Sequence, residues 1–92
     1  MILGSFSKQP VEVLDYDIDC SEWIVSDDVL ASAVATVDGT GLTIDSVLVS
    51  TPRVKVWLSG GTNGSSHKIT VTITTDDGRV KQVEFRVRVK DV

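Results

Sequence analysis

The strongest constraint on the fold is a period of two that runs through the second half of the chain and reverses at a single turn. Ile69, Val71 and Ile73 alternate with Thr70, Thr72 and Thr74; beyond Asp76-Asp77-Gly78, Val83, Phe85, Val87 and Val89 alternate with Glu84, Arg86 and Arg88. Successive side chains of a strand point to opposite faces, so each run has one apolar and one polar face, and Asp-Asp-Gly supplies the turn of a β-hairpin. These residues locate an apolar face but name no chemistry.

The rest of the chain reads in the same way. Residues 1–9 are expected to be an N-terminal arm, because Ile2, Leu3 and Phe6 sit among Gly4, Ser5, Ser7 and Gln9 without a period. The arm is either frayed or docked on something. Residues 10–92 read as one domain. Residues 11–20 alternate as a strand, with Leu14, Tyr16, Ile18 and Cys20 on one face and Asp15, Asp17 and Asp19 on a wet face. Residues 21–28 are a polar connection carrying Trp23 and Ile24, in which Ser21-Glu22 or Ser26-Asp27-Asp28 could start one short helical turn. Residues 29–37 form a strand made small-sided by Ala31, Ala33 and Ala35, so a bulky neighbour, Trp23 or Trp57, must fill the space above those methyls.

After the turn Asp38-Gly39-Thr40-Gly41, a third strand changes parity near Ser46, which implies a bulge or a crossing between sheets. Pro52 ends it. Residues 53–59 place Val54, Val56 and Leu58 on one face and Arg53, Lys55 and Trp57 on the other, and residues 60–65 are a glycine-rich flexible loop. An outward Trp57 marks a binding surface if it is exposed; otherwise the arm or a loop covers it. Six to seven strands without a helix predict an all-β fold, an immunoglobulin-like antiparallel β-sandwich, with a small barrel as the alternative. The Cys and Trp spacing of antibody domains is absent.

Ninety-two residues suffice for a single modest core. The lone Cys20 can form neither an intrachain disulfide nor a CxxC motif, so stability must come from packing and a reducing site of synthesis fits. No apolar run approaches the roughly 20 residues of a membrane span, and the start lacks the basic region and apolar core of a signal peptide, so no membrane association is expected. A net charge of −4 argues against nucleic acid as a partner. The charge is split: residues 1–50 carry nine acidic side chains and one basic, Lys8, whereas residues 51–92 carry eight basic and four acidic. Either an acidic strand lies beside a basic one within a subunit, or oppositely charged surfaces of neighbouring subunits meet.

Asp15-x-Asp17-x-Asp19 opens like a calcium loop, but the sixth and twelfth positions are Cys20 and Ser26 where Gly and Glu are needed. Carboxylates on alternate strand residues lie about 6–7 Å apart, too far to share an ion whose oxygens lie about 2.4 Å away, unless Asp27 or Asp28 folds back. His67 and Ser66 are adjacent strand residues on opposite faces and cannot form a base and nucleophile pair, so His67 is expected to be a half-exposed strand residue. Gly60, Gly61 and Gly64 lack the following helix that would hold a phosphate. Asn63-Gly64-Ser65 fits a glycosylation acceptor that matters only in a secreted protein. Cys20 reads as a small core residue. No enzyme activity, cofactor, metal or small-molecule substrate is expected.

The runs Pro10-Val11-Glu12-Val13-Leu14-Asp15-Tyr16-Asp17-Ile18-Asp19, Val54-Lys55-Val56-Trp57-Leu58-Ser59-Gly60-Gly61-Thr62-Asn63-Gly64 and Ile69-Thr70-Val71-Thr72-Ile73-Thr74-Thr75, followed by Asp77-Gly78-Arg79, carry a family resemblance. The chain resembles the fibre-tail adaptor proteins of tailed phages and prophages. The Trp-Leu-Ser-Gly-Gly-Thr-x-Gly run is the specific part. Cys20 and Ala35 stand where an aromatic residue is expected, and His67 where tyrosine is.

The resemblance implies a virion protein of the neck and tail, held in the host bacterial cytoplasm before assembly. It implies several copies that join other phage structural proteins of tail, neck or fibre, and it brings no catalytic residues. The expected contact residues are Phe6 of the arm, Asp15, Asp17, Asp19, Trp57, Arg86, Arg88 and Lys90, with the acidic set of one copy meeting the basic set of the next in a homo-oligomeric ring. The rival reading is a carbohydrate-type ligand-binding sandwich using Trp57 and the 60–65 loop.

Overall fold

Segments with a period of two are strands in the computed structural model, which describes residues 2–24 and 27–90. In chain order the strands are β1 (Ile2–Lys8), β2 (Leu14–Asp19), β3 (Leu30–Val37), β4 (Leu42–Ser50), β5 (Arg53–Gly60), β6 (Ser66–Thr75) and β7 (Val80–Val89). They form a sandwich of two sheets ordered β1-β7-β6-β3 and β2-β5-β4. The third, sixth and seventh strands share one sheet and the second, fourth and fifth the other, the partition of an immunoglobulin-like sandwich. Pairing is antiparallel except at one place: β1 runs parallel to β7. The segment expected as an arm is thus docked, as an edge strand of the sheet that holds the hairpin.

The core follows from the alternation. Val54, Val56 and Leu58 of β5 face Ile69, Val71 and Ile73 of β6 and Val83, Phe85 and Val87 of β7, and all are buried. Branched side chains suit a pleated surface packed on one face, and each fully buried one stabilises by about 1.5–3 kcal/mol. Half-buried residues packed on this core include Trp23, Ile24, Ala33 and Ala35. Trp57 is not among them. The parity change in β4 is a bulge: Ile44 pairs with Leu58 and Ser46 with Trp57, so Asp45 is extra, and its carboxylate accepts a 2.9 Å bond from the Ser59 hydroxyl. A second register shift, between Leu30 and Ser32, turns Ala31 outward, so the small face consists of Ala33 and Ala35 without Ala31.

Two buried polar residues tie the ends. Asp28 accepts from the Val29 and Asp77 amides at 2.9 and 3.2 Å and from the Arg79 guanidinium at 3.0 Å, clamping the β6–β7 turn onto the chain before β3. Burial works against its charge, but hydrogen bonds led by the Thr75 hydroxyl outweigh that and hold its carboxyl below the ordinary range. Asp28 is therefore occupied with Arg79 and does not fold back on Asp15, Asp17 and Asp19. Ser26, a candidate start of a helical turn, lies outside the described residues; Cys20 accepts from Trp23 and Ile24 in a simple turn. Lys8, at the end of β1, is buried and donates to the carbonyls of Gly60 at 2.6 Å and Gln9 at 2.8 Å. Burial lowers its pKa, and the charges of Glu12 and Asp45 pull the other way.

The two lateral sides of the sandwich differ. On one, β3 and β4, joined by the turn at residues 38–41, run close together and close the gap between the sheets. On the other, β1 and β2 are both edge strands with no neighbour beyond them among the described residues.

Candidate functional site

The acidic strand lies on the open side. Asp15, Asp17 and Asp19 stand opposite Trp57, Lys55 and Arg53 of β5. Asp15 bridges to Lys55 at 3.6 Å with both side chains substantially exposed, a contact worth at most about 1 kcal/mol. Asp19 accepts the Ser21 amide at 2.9 Å, and the bonds from Ser21 hold its carboxyl below the ordinary range. The acidic strand thus has a basic neighbour in its own subunit, and that neighbour is β5.

The backbone of β2 can be oriented from one bond. Cys20 continues the register of β2 and its amide donates to Pro52 O at 2.8 Å, toward the β5 side. The N–H and C=O of one antiparallel strand residue point the same way and reverse at the next residue. Leu14, Tyr16 and Ile18 therefore direct their amides and carbonyls toward β5, whereas those of Asp15, Asp17 and Asp19 point to the free edge. Behind this edge the rings of Phe6, Tyr16 and Phe85 form a triangle with centroid separations of 5.2, 5.4 and 5.9 Å, the range of favourable aromatic pairs. With Ile18 they line a groove of about 480 Å³. Phe6 remains 42% exposed although it packs on Tyr16, and the Tyr16 hydroxyl is buried without a hydrogen-bond partner among the described residues. Burial, with the charge of Glu12, raises its pKa.

Arg86, Arg88 and Lys90 lie on the opposite outer face of the molecule. Arg86 is flanked by Ser5 and Lys68, and Arg88 by Ser7 and Ser66. Among the described residues no acidic side chain pairs with any of the three; the nearby Lys68 bridges Glu84 at 3.7 Å. Within one subunit the acidic and basic sets thus lie on separate faces. Trp57 is half-buried on the outer face of the β2-β5-β4 sheet, flanked by Asp15 and Ser46 and not covered by the first strand.

The glycine run and the histidine are structural. The 60–65 loop, expected to be flexible, is pinned: Gly61 N donates to Gly41 O at 2.9 Å, Gly64 N to Val89 O at 2.8 Å and Ser65 N to Thr62 O at 3.0 Å. His67, expected to be half-exposed, is buried; Nδ1 donates to the Asp38 carbonyl at 2.8 Å and Nε2 meets Ser65 Oγ at 3.1 Å. A carbonyl only accepts, which fixes the proton on Nδ1. The serine beside His67 is Ser65 and not Ser66, and its hydroxyl also lies 2.6 Å from Thr62 O. The Gly64, Ser65 and Lys68 amides near this Ser–His pair are committed to other acceptors. Sequence reasoning missed Lys8 and the aromatic mouth. Lys8 had a signal, being the single basic residue of an acidic half; the mouth had none, since it exists only where β1 and β2 face each other.

The model of the podophage GP4 fiber-tail adaptor protein gp77 family matches residues 8–88. The chain belongs to this family. The match spans β2 to β7 almost entire and begins at Lys8, the residue that locks β1 to Gly60. No curated protein matches the chain. Membership makes it a structural adaptor of a phage virion.

Proposed function

We propose that this adaptor assembles in several copies at the neck and tail of a tailed-phage virion, joins fibre or tail components there, and has no enzymatic activity. The observation that supports it is the placement of an acidic strand and a basic one on opposite outer faces: Asp15, Asp17 and Asp19, beside Arg53 and Lys55, on one sheet, and Arg86, Arg88 and Lys90 on the other. Patches on opposite sides of a subunit make a heterologous, head-to-tail contact, which closes a ring when the rotation between subunits allows. Charge complementarity of this kind sets register and speeds encounter more than it adds affinity.

Light scattering after size exclusion, at low and high salt and with the virion proteins present, tests the assembly. Salt-sensitive oligomers are expected, weakened by Arg86→Glu combined with Arg88→Glu. A monomer at every salt and concentration, with partners included, overturns the several-copy reading. Absence of the protein from purified particles overturns the virion role itself.

A further inference from the structure

We propose that the free edge of β2 is a docking site for an extended segment of a partner protein, basic at its outward positions and apolar at its inward ones, which adds a fourth strand to the β2-β5-β4 sheet. The inference rests on the geometry of this edge and stands whether or not copies associate. A neighbouring copy docked through Arg86, Arg88 and Lys90 would compete for the same carboxylates but leave the backbone groups of the β2 edge open.

Three observations point to this occupant. First, the sheets are unequal, four strands against three, and among the described residues no strand fills the place beside β2. Backbone groups of Asp15, Asp17 and Asp19 point into that place, a template for strand addition. Secondly, the groove there is lined by Phe6, Tyr16, Ile18 and Phe85 together with Asp15, Asp17 and Asp19. Phe6 is half exposed, and the Tyr16 hydroxyl has no partner among the described residues, so the interior of the mouth is unfinished. Thirdly, the charge is specific. Residues paired with the three aspartates would carry their side chains on the same outward face, so basic residues there would find a carboxylate opposite each. The positions between them would face inward, opposite Tyr16 and Ile18, and would be apolar.

The same charge excludes a second copy as the strand donor. Two β2 edges paired across a two-fold would set aspartates against aspartates, and like charges directly opposite destabilise a sheet. This chain does contain the required alternation, Arg86-Val87-Arg88-Val89-Lys90, but it lies in β7 between β1 and β6 with both edges occupied. The segment therefore comes from another protein, and the aspartates both recruit it and discourage self-pairing.

The test titrates the full-length, isotope-labelled protein with a capped peptide of alternating arginine and valine ending in lysine. The Asp15, Asp17 and Asp19 amides are expected to shift and to gain protection from hydrogen exchange, while the β3 and β4 amides do not change. Methylating the peptide nitrogens of the arginines removes the bonds to β2 without altering the protein, and should weaken binding roughly a hundredfold. Replacing all three aspartates by asparagine should weaken it roughly tenfold and remove most of its salt dependence. Equal binding of a scrambled peptide or of the methylated one, protection at any other edge, self-association in place of peptide binding, or no binding at millimolar peptide would each overturn the proposal.

Discussion

Gly61→Ala is expected to destabilise the sandwich by about 2–5 kcal/mol, as the sum of two separable effects. The first is conformational. Gly61 has φ +105°, a region that disfavours any residue with a Cβ by about 1–2 kcal/mol. The second is steric. A methyl built on Gly61 would lie 2.6 Å from Cγ2 and 3.1 Å from Cγ1 of Val89. Val89 is buried on the inward face of β7 and, being β-branched, has few rotamers to move into. Overfilling such a site destabilises by about 1–3 kcal/mol.

Val89→Ala separates the two. Alone it removes two buried methyl groups and should destabilise by about 2 kcal/mol. Combined with Gly61→Ala it clears space for the new methyl, while the backbone strain and the lost burial remain. The double variant should therefore lose less than the sum of the single losses by about 1–3 kcal/mol. Urea unfolding followed by the fluorescence of Trp23 and Trp57 measures all three, with the midpoint moving and the slope unchanged. A domain of 92 residues has roughly 5–14 kcal/mol of stability, so a transition remains measurable for most of the expected range. Additivity within about 0.5 kcal/mol would refute the contact between residues 61 and 89.

Two further outcomes are expected. Tyr16→Phe should leave stability unchanged or raise it by about 1–3 kcal/mol, since it removes a buried hydroxyl without a partner; a clear loss in urea unfolding would show that the hydroxyl is bonded. Asp28 has a folded pKa below its ordinary value of 3.8, so its contribution is fully present above that value and is lost as the pH falls through the lower, folded one. Asp28→Asn should lower the melting temperature at pH 7 and flatten its decline under acid; identical acid profiles for the two proteins would refute the clamp.

Much of the fold was legible because alternation is local. Residues of β2, β5, β6 and β7 declare their inward faces two positions apart, and even the β4 bulge shows itself as a change of parity at Ser46. β1 was not legible for a related reason. Its inward positions include Phe6 and Lys8, an aromatic and a charged residue that make no apolar period, and its partner β7 is distant in the chain. Lys8 is buried only because Gly60 and Gln9 offer carbonyls to its amine. Asp28 likewise looks no different from Asp27 until the β6–β7 turn brings Arg79 to it. Charge distribution was legible in total but not in pairing: the basic neighbour of β2 is β5, a fact of sheet order that composition does not carry.

The residues of the glycine run after Trp57 are joined by a physical task. Gly60 gives its carbonyl to Lys8 of β1, Gly61 gives its amide to Gly41 ahead of β4, and Gly64 gives its amide to Val89 at the end of β7. One short run thereby ties the ends of strands from both sheets. Close approach requires glycine at two of these positions: a Cβ on Gly60 would lie 2.9 Å from Gly41 O and one on Gly61 2.6 Å from Val89 Cγ2, whereas Gly64 has open space around it and is favoured by its φ of +89°. A chain whose lone Cys20 is buried and free has no disulfide to hold these ends. The lock at Lys8 also fixes Phe6 over Tyr16 and Phe85, so the run that reads as a glycine loop sets the shape of the aromatic mouth on the open side. If so, Gly61→Ala should loosen β1 and the mouth first, visible as faster amide exchange along residues 2–8 at denaturant concentrations where β6 and β7 still exchange slowly.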